Sequence, residues 1–375
     1  MHINCPQPDL LNAVQKVQRA VATNDNLPYL TGILIKAHNN KLTLHSTDLD
    51  LGIKFSFETE VLIEGDILLP ARIFAEMVRK LPPIDLSIKS LDNNMVEITY
   101  HQSKIQLNCF DPSNFPSFPT VEASFQIKSQ ANILKEAIRK VSIATNSDDL
   151  QSIFNAILLE KKQDQESFNL VATDTHRLAV YNSNGIRNSE TTLKALVGSR
   201  ALNELARMLS NDESQVILTV GPNQIVVEHE NLVLYARLLN DKFPHYRQII
   251  PQSASTTLKI NTKELLETTE RATLLARDEL KPRSHLVMLK IDDTLKISSE
   301  AAEVGKLEEE LTADIEGQPI EIAFNGRYLL DTLKVIDSQE VVLEMQAPLK
   351  PIVVKPADND NYLCLILPVR IHKQL

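Results

Sequence analysis

Asp174, His176 and Arg177 fall within four residues of one another in the stretch Val171-Ala-Thr-Asp-Thr-His-Arg-Leu-Ala-Val180. A carboxylate and an imidazole two residues apart are the makings of an acid/base pair or of half a metal site. Either use needs further partners. The other eight His residues, His38, His101 and His285 among them, show no H-x-x-x-H or comparable spacing. There is no P-loop and no nucleophile elbow, and nine Gly in 375 residues leave little material for Gly-rich phosphate loops. Cys5, Cys109 and Cys364 are odd in number and far apart, fitting neither a metal spacing nor a disulfide framework. They read as small core hydrophobes in a reducing cytosol. No metal or other cofactor is expected, and the polar knot reads as a hydrogen-bonded turn between two strands.

The elements that hold this knot are written more than once. Pro70-Ala-Arg-Ile-Phe-Ala-Glu-Met-Val-Arg-Lys-Leu81 recurs as Gly198-Ser-Arg-Ala-Leu-Asn-Glu-Leu-Ala-Arg-Met-Leu209 and again as Asn325-Gly-Arg-Tyr-Leu-Leu-Asp-Thr-Leu-Lys-Val-Ile336. Apolar residues at spacings of four and three (Phe74/Val78/Leu81, Leu202/Ala206/Leu209, Leu329/Leu333/Ile336) mark one helix face. Arg72/Glu76/Arg79, Arg200/Glu204/Arg207 and Arg327/Asp331/Lys334 mark a charged face roughly opposite. An earlier helix repeats Leu10/Val14/Val17 as Leu134/Ile138/Val141 and, more loosely, as Leu265/Thr269/Ala272. Between the two helices, Thr47-Asp48 corresponds to Thr173-Asp174, while the third copy has Ser299-Glu300 instead. Three repeats of this size can each hold a core. Pro-rich and polar stretches at 111–119 and 243–255 separate them, giving domains over 1–121, 126–251 and 255–375. Two helices and many short strands per repeat predict an α+β fold in three tandem similar domains.

The formal charge is −10, which by itself argues against nucleic acid. Its distribution argues otherwise. The predicted helices (9–20, 70–81, 132–142, 199–210, 262–277, 325–336) carry +7 together, leaving −17 on the remainder. A basic stripe in register in every repeat suits sequence-blind contact with phosphates. Without Trp or interleaved aromatics, base stacking on single strands fits poorly. No apolar run is long enough for a membrane helix, and residues 1–11 lack a secretory pattern, so a cytoplasmic protein is expected.

The triplication, the 171–180 segment, Phe243-Pro-His-Tyr246 and the terminal Leu367-Pro-Val-Arg-Ile371 together resemble the bacterial DNA polymerase III beta subunits, the sliding clamps, over essentially the whole chain. The resemblance implies a head-to-tail homodimeric ring of six similar domains around duplex DNA, with no catalytic activity of its own. Arg72, Arg79, Lys80, Arg139, Lys140, Arg200, Arg207 and Lys334 would meet phosphates, and the acidic remainder would repel DNA from the outside. Asn24 stands where the family often has Arg. The dimer contact would join Lys104, Ile105 and Leu107 to Leu274 and Leu275 of the other subunit.

The resemblance also implies a pocket for short, extended peptides with apolar anchors, from the polymerase III alpha subunit, the clamp loader, other polymerases and repair proteins. Its walls would be Phe154, Thr173, Thr175, His176, Arg177 and Leu178, with Pro244, Gln248 and Ile249. Leu349, Pro351, Leu365, Ile366, Leu367, Pro368, Val369 and Arg370 would complete it. Thr175 replaces a common Gly, Gln248 replaces an Arg found in some members, and residues 372–375 extend past the usual end. Two other classes compete with this reading. An enzyme would need the missing catalytic partners, and a scaffold that binds only proteins would lack the basic stripe.

Overall fold

The structure, a computed structural model, describes residues 1–24, 26–146, 153–161, 168–183, 187–188, 192–276, 285–301 and 305–370. Six helices occur among them: α1 (Gln7–Val17), α2 (Ala71–Lys80), α3 (Ala131–Ser142), α4 (Ser199–Met208), α5 (Thr262–Leu275) and α6 (Gly326–Leu333). In each third of the chain the order is strand, helix, five strands, helix, three strands. The repeat seen in the helices therefore extends to every element.

Helix boundaries follow local chemistry. The first helix begins at Gln7, two residues before the predicted start, because Pro8 is tolerated in a first turn whose N–H groups have no helical partner. It ends at Val17, and Gln18–Ala20 continue as a 3-10 turn. The third copy of the repeated helix ends at Leu333 and not at 336. There the N–H groups of Val335 and Ile336 reach back three residues, to the carbonyls of Thr332 and Leu333. The predicted apolar faces are inside: Leu10, Val14, Val17, Phe74 and Val78 are fully buried, as are Leu134, Ile138 and Val141. Each such side chain contributes about 1.5–3 kcal/mol of burial. One stripe is rotated by a residue: in α4 it is Leu205, not Ala206, that is fully buried. Cys5 and Cys364 are core atoms, and burial pushes their thiols up to about 12 and about 11.

Two compact units are present, and they do not follow the three repeats. One comprises 1–132, 187–189 and 200–239; the other comprises 133–186, 190–199 and 240–375. The middle repeat is divided because it gives strands to both. In the first unit, Leu232–Arg237 pairs antiparallel with Leu51–Glu58 inside a nine-stranded sheet. A five-stranded sheet ends on Ser103–Asn108 at one edge and on Glu60–Ile63 at the other. In the second unit, Arg177–Ser183 pairs antiparallel with Tyr362–Ile366, again within nine strands. A four-stranded sheet there has edges at Gly305–Leu311 and Ile320–Asn325. Pairing across repeats covers strand edges that would otherwise be open.

Candidate functional site

The Thr-Asp turn is built identically in its two copies. The Thr173 hydroxyl donates to the Arg177 carbonyl at 2.8 Å and accepts the Thr175 N–H at 3.3 Å. One Asp174 carboxylate oxygen accepts the N–H groups of His176 and Arg177 at 3.0 and 2.9 Å. In the first repeat Thr47 bonds the Leu51 carbonyl and the Leu49 N–H, both at 2.9 Å. There Asp48 accepts from Asp50 and Leu51 at 3.1 and 2.8 Å. Both turns need one left-handed residue, Leu49 at φ 80° and Thr175 at φ 75°. A β-branched side chain is costly in that region, which accounts for the Gly common at this position in the resembling family.

Asp174 and His176 do not face one another as an acid/base pair. The second Asp174 oxygen takes the Arg177 Nε at 2.9 Å, and Arg177 Nη1 reaches Asp331 on α6 at 2.7 Å. The guanidinium lies 4.6 Å from the centre of the Tyr328 ring, and the exposed His176 ring stacks on the same tyrosine at 6.0 Å. Arg177 is thus a buried strut between the turn and a helix. No group of three His, Cys, Asp or Glu among the described residues could hold a metal ion.

The strand pairing brings the C-terminal run to this turn. Arg177 lies opposite Ile366 and Leu178 opposite Leu365. The Leu367 N–H donates to the His176 carbonyl at 2.9 Å, and the Val369 N–H to the Ala323 carbonyl at 2.7 Å. Ile352, directly after Pro351, pairs with Ile366. The short helix Ile153–Asn155, which includes Phe154, lies beside the strand ending at Thr173. Thr173, Arg177, Leu178, Leu365 and Ile366 are buried, while Phe154, Pro351 and Pro368 are half-buried. Thr175, His176, Pro244, Gln248 and Arg370 are exposed. Ile249, Leu349, Leu367 and Val369 are also exposed, and they are four of the ten large apolar side chains that are exposed among the described residues. The first-repeat turn differs, because the Tyr235 ring lies against Gly52 and Phe118 meets Tyr235 edge-on at 4.9 Å. There the chain's own aromatics fill the space.

Sequence reasoning missed Tyr328 and Asp331 as supports of this site. A signal was available: the other two helix copies have Ile73 and Ala201 where α6 has Tyr328. The tyrosine is new in the third repeat, as His176-Arg177 is new in the second.

The cations of the basic stripe sit on α2, α3, α4 and just past α6. In the first unit Arg72, Arg79 and Lys80 are exposed, Arg72 lying 4.0 Å from Glu76. Arg200 pairs with Asp48, and Arg207 with Glu204 at 2.6 Å. In the second unit Arg139 pairs with Asp337, and Lys334 with Glu270 at 3.2 Å. Lys140 departs from the expectation. It is 5% exposed, tied to Glu136, and its Nζ lies 5.6 and 5.9 Å from the Tyr181 and Tyr362 rings. Its aliphatic stem is packed along the protein and its charge is satisfied inside, so it does not present a phosphate ligand. The residues expected at the dimer contact are placed as follows. Lys104 is exposed and 3.4 Å from Glu97; Ile105 and Leu107 are half-buried on one face of the edge strand. Leu274 is 73% exposed and Leu275 half-buried, at the end of α5. Residues 371–375 lie outside the described residues.

A chain of three like α+β repeats, with sheets continued from repeat to repeat, defines a clamp-type protein. Models for the N-terminal, central and C-terminal domains of the DNA polymerase III beta subunit match residues 1–119, 128–245 and 247–370. The chain is 30% identical to the beta sliding clamp of Halalkalibacterium halodurans over 99% of this chain and all of that one. It is also 30% identical to that of Bacillus subtilis, over 97% and 98% of the two chains. The Bacillus subtilis clamp crystal structure superposes with a TM-score of 0.93 at 28% identity, covering 99% of this chain and all of the other. A Pseudomonas aeruginosa clamp bound to griselimycin gives 0.93 at 25% identity, with the same coverage. The chain belongs to the DNA polymerase III beta-subunit family. It is a replication processivity factor and not a catalyst.

Proposed function

We propose that two copies of this chain close head to tail around duplex DNA in the cytoplasm. The ring has six domains, each chain contributing 1–121, 126–251 and 255–375. It tethers the polymerase III alpha subunit, the clamp loader, other polymerases and repair proteins through short peptides. The observation that carries the tethering role is the exposure of Ile249, Leu349, Leu367 and Val369, with the Leu367 N–H held by the His176 carbonyl next to the Arg177 strut. Apolar anchors of an extended peptide suit such a surface, with the polar groups of Thr175 and His176 fixing orientation. Subunit contact through Lys104, Ile105, Leu107, Leu274 and Leu275 is supported by an edge strand at 103–108 and by the exposure of Leu274. Contact with DNA falls to Arg72, Arg79, Lys80, Arg139, Arg200, Arg207 and Lys334, supported by the exposure of their helix faces. Most already hold carboxylates, so phosphates meet weak, exchangeable partners, which is what sliding requires.

The test has two parts. Native mass should be that of a dimer, and protein loaded onto nicked circular duplex should stay bound until the circle is linearised. A monomer in solution, or retention that survives linearisation, overturns the ring. Deleting 367–375 should abolish binding of polymerase peptides and leave the dimer intact.

A further inference from the structure

Glu160 is the one buried carboxylate in an otherwise apolar run, Ala156-Ile-Leu-Leu-Glu160. Its side chain is 4% exposed. Oε2 accepts the Tyr246 hydroxyl at 2.8 Å and Arg247 Nη2 at 2.7 Å, and Oε1 faces Lys194 Nζ at 3.3 Å. Arg247 Nε also donates to the Tyr246 oxygen at 3.2 Å. Tyr246 and Arg247 belong to a single 3-10 turn, Tyr246–Gln248, in the connector between Arg237 and Thr256, which contains no strand. Around that turn Pro244, Gln248 and Ile249 are exposed. No sheet pairing holds them, and the Glu160 bonds hold the Tyr246 and Arg247 that lie among them.

The first repeat shows that a connector can be held otherwise. Strand register puts Lys36 opposite Asp66, where the second repeat has Glu160 opposite Lys194. In the matching Phe115-Pro-Ser-Phe118, Phe118 stands where the second repeat has Tyr246 and meets the His45 and Tyr235 rings at 5.1 and 4.9 Å, while Phe115, matching Phe243, packs with Leu34 and Leu68. Apolar packing suffices to anchor such a segment. Charge-assisted hydrogen bonds are short and directional, so they fix its orientation too.

We infer that Glu160, acting through Tyr246 and Arg247, is a positioning residue that sets the place of Ile249 and its neighbours for the partner peptide. The inference rests on the peptide-pocket reading above. A fluorescein-labelled clamp-binding peptide from the polymerase III alpha subunit is titrated by anisotropy into the full-length protein and four variants. These are Glu160→Gln, Tyr246→Phe, Ile249→Ala and the double variant Tyr246→Phe/Ile249→Ala. Tyr246→Phe, which keeps the ring and hence the fold, should weaken binding about threefold to tenfold, and Glu160→Gln at least as much. In the Ile249→Ala background Tyr246→Phe should add nothing, a coupling that a general loss of stability does not produce. Unchanged affinity in Tyr246→Phe, or full additivity with Ile249→Ala, overturns the positioning role and leaves the pocket standing. A wild-type protein that ignores the peptide, or an Ile249→Ala variant that binds it normally, overturns the pocket reading and the inference with it.

Discussion

Thr175 pays for its turn in backbone conformation. Its side chain is exposed, so nothing in packing compensates a β-branched residue at φ 75°. Asn tolerates that region with less strain and without the chain entropy of Gly. Thr175→Asn should therefore stabilise by about 0.5–1 kcal/mol, read as a rise of a few degrees in melting temperature. His45 makes a second residue-scale case. Burial, with Lys54 and Lys36 nearby, lowers its pKa from 6.5 to about 3, while Phe115 and Phe118 meet its ring edge-on. The folded state then binds fewer protons than the unfolded chain below pH 6.5. Stability must fall as the pH drops from 6.5 toward 3, by at most about 1.4 kcal/mol per unit, and level off below. His45→Asn should flatten that acid limb in melting curves between pH 6.5 and 4; an unchanged slope would show that other groups carry it.

Among elements, the decisive join is between the 173–178 turn and α6. Arg177 spans two carboxylates, so truncating it leaves the enclosed Asp174 without a counter-charge and Asp331 without its partner on the turn. Arg177→Ala should cost about 3–5 kcal/mol and weaken peptide binding more than tenfold, while Arg177→Lys can satisfy only one carboxylate and should fall between. A double-mutant cycle with Asp331→Asn, read by chemical denaturation, checks the coupling. How far this join was legible in the sequence depends on distance along the chain. The Thr-Asp turn was readable from its own repeat, because its hydrogen bonds run between residues at most four apart. The partnership of Arg177 with Asp331 was not, because Asp331 had a plausible place on a charged helix face and only the sheet pairing decides what that face meets. Lys140 shows the same limit: its spacing matched an exposed stripe, but Tyr181 and Tyr362 come to it from distant strands. Periodicity reports which face of a helix is polar and is silent on whether a polar residue ends at a ring, a carboxylate or solvent.

At the scale of the molecule, the cations that remain exposed predict how DNA affinity responds to salt. Removing one cation that neutralises a phosphate should lower the slope of log affinity against log salt by about 0.9. Arg79→Ala and Lys80→Ala should each do so, and Lys140→Met should leave the slope unchanged; a drop with Lys140→Met would mean that this lysine reaches DNA. The sheet that joins the second repeat to the third has another consequence. Strand Arg177–Ser183 is completed by Tyr362–Ile366, and the His176 carbonyl by Leu367. A chain emerging from a ribosome can build the first unit's five-stranded sheet early, yet Arg177–Ser183 lacks its partner until Tyr362–Ile366 is released. Growing or truncated chains that lack Tyr362–Ile366 therefore carry Arg177–Ser183 as an open strand edge, able to pair with another chain.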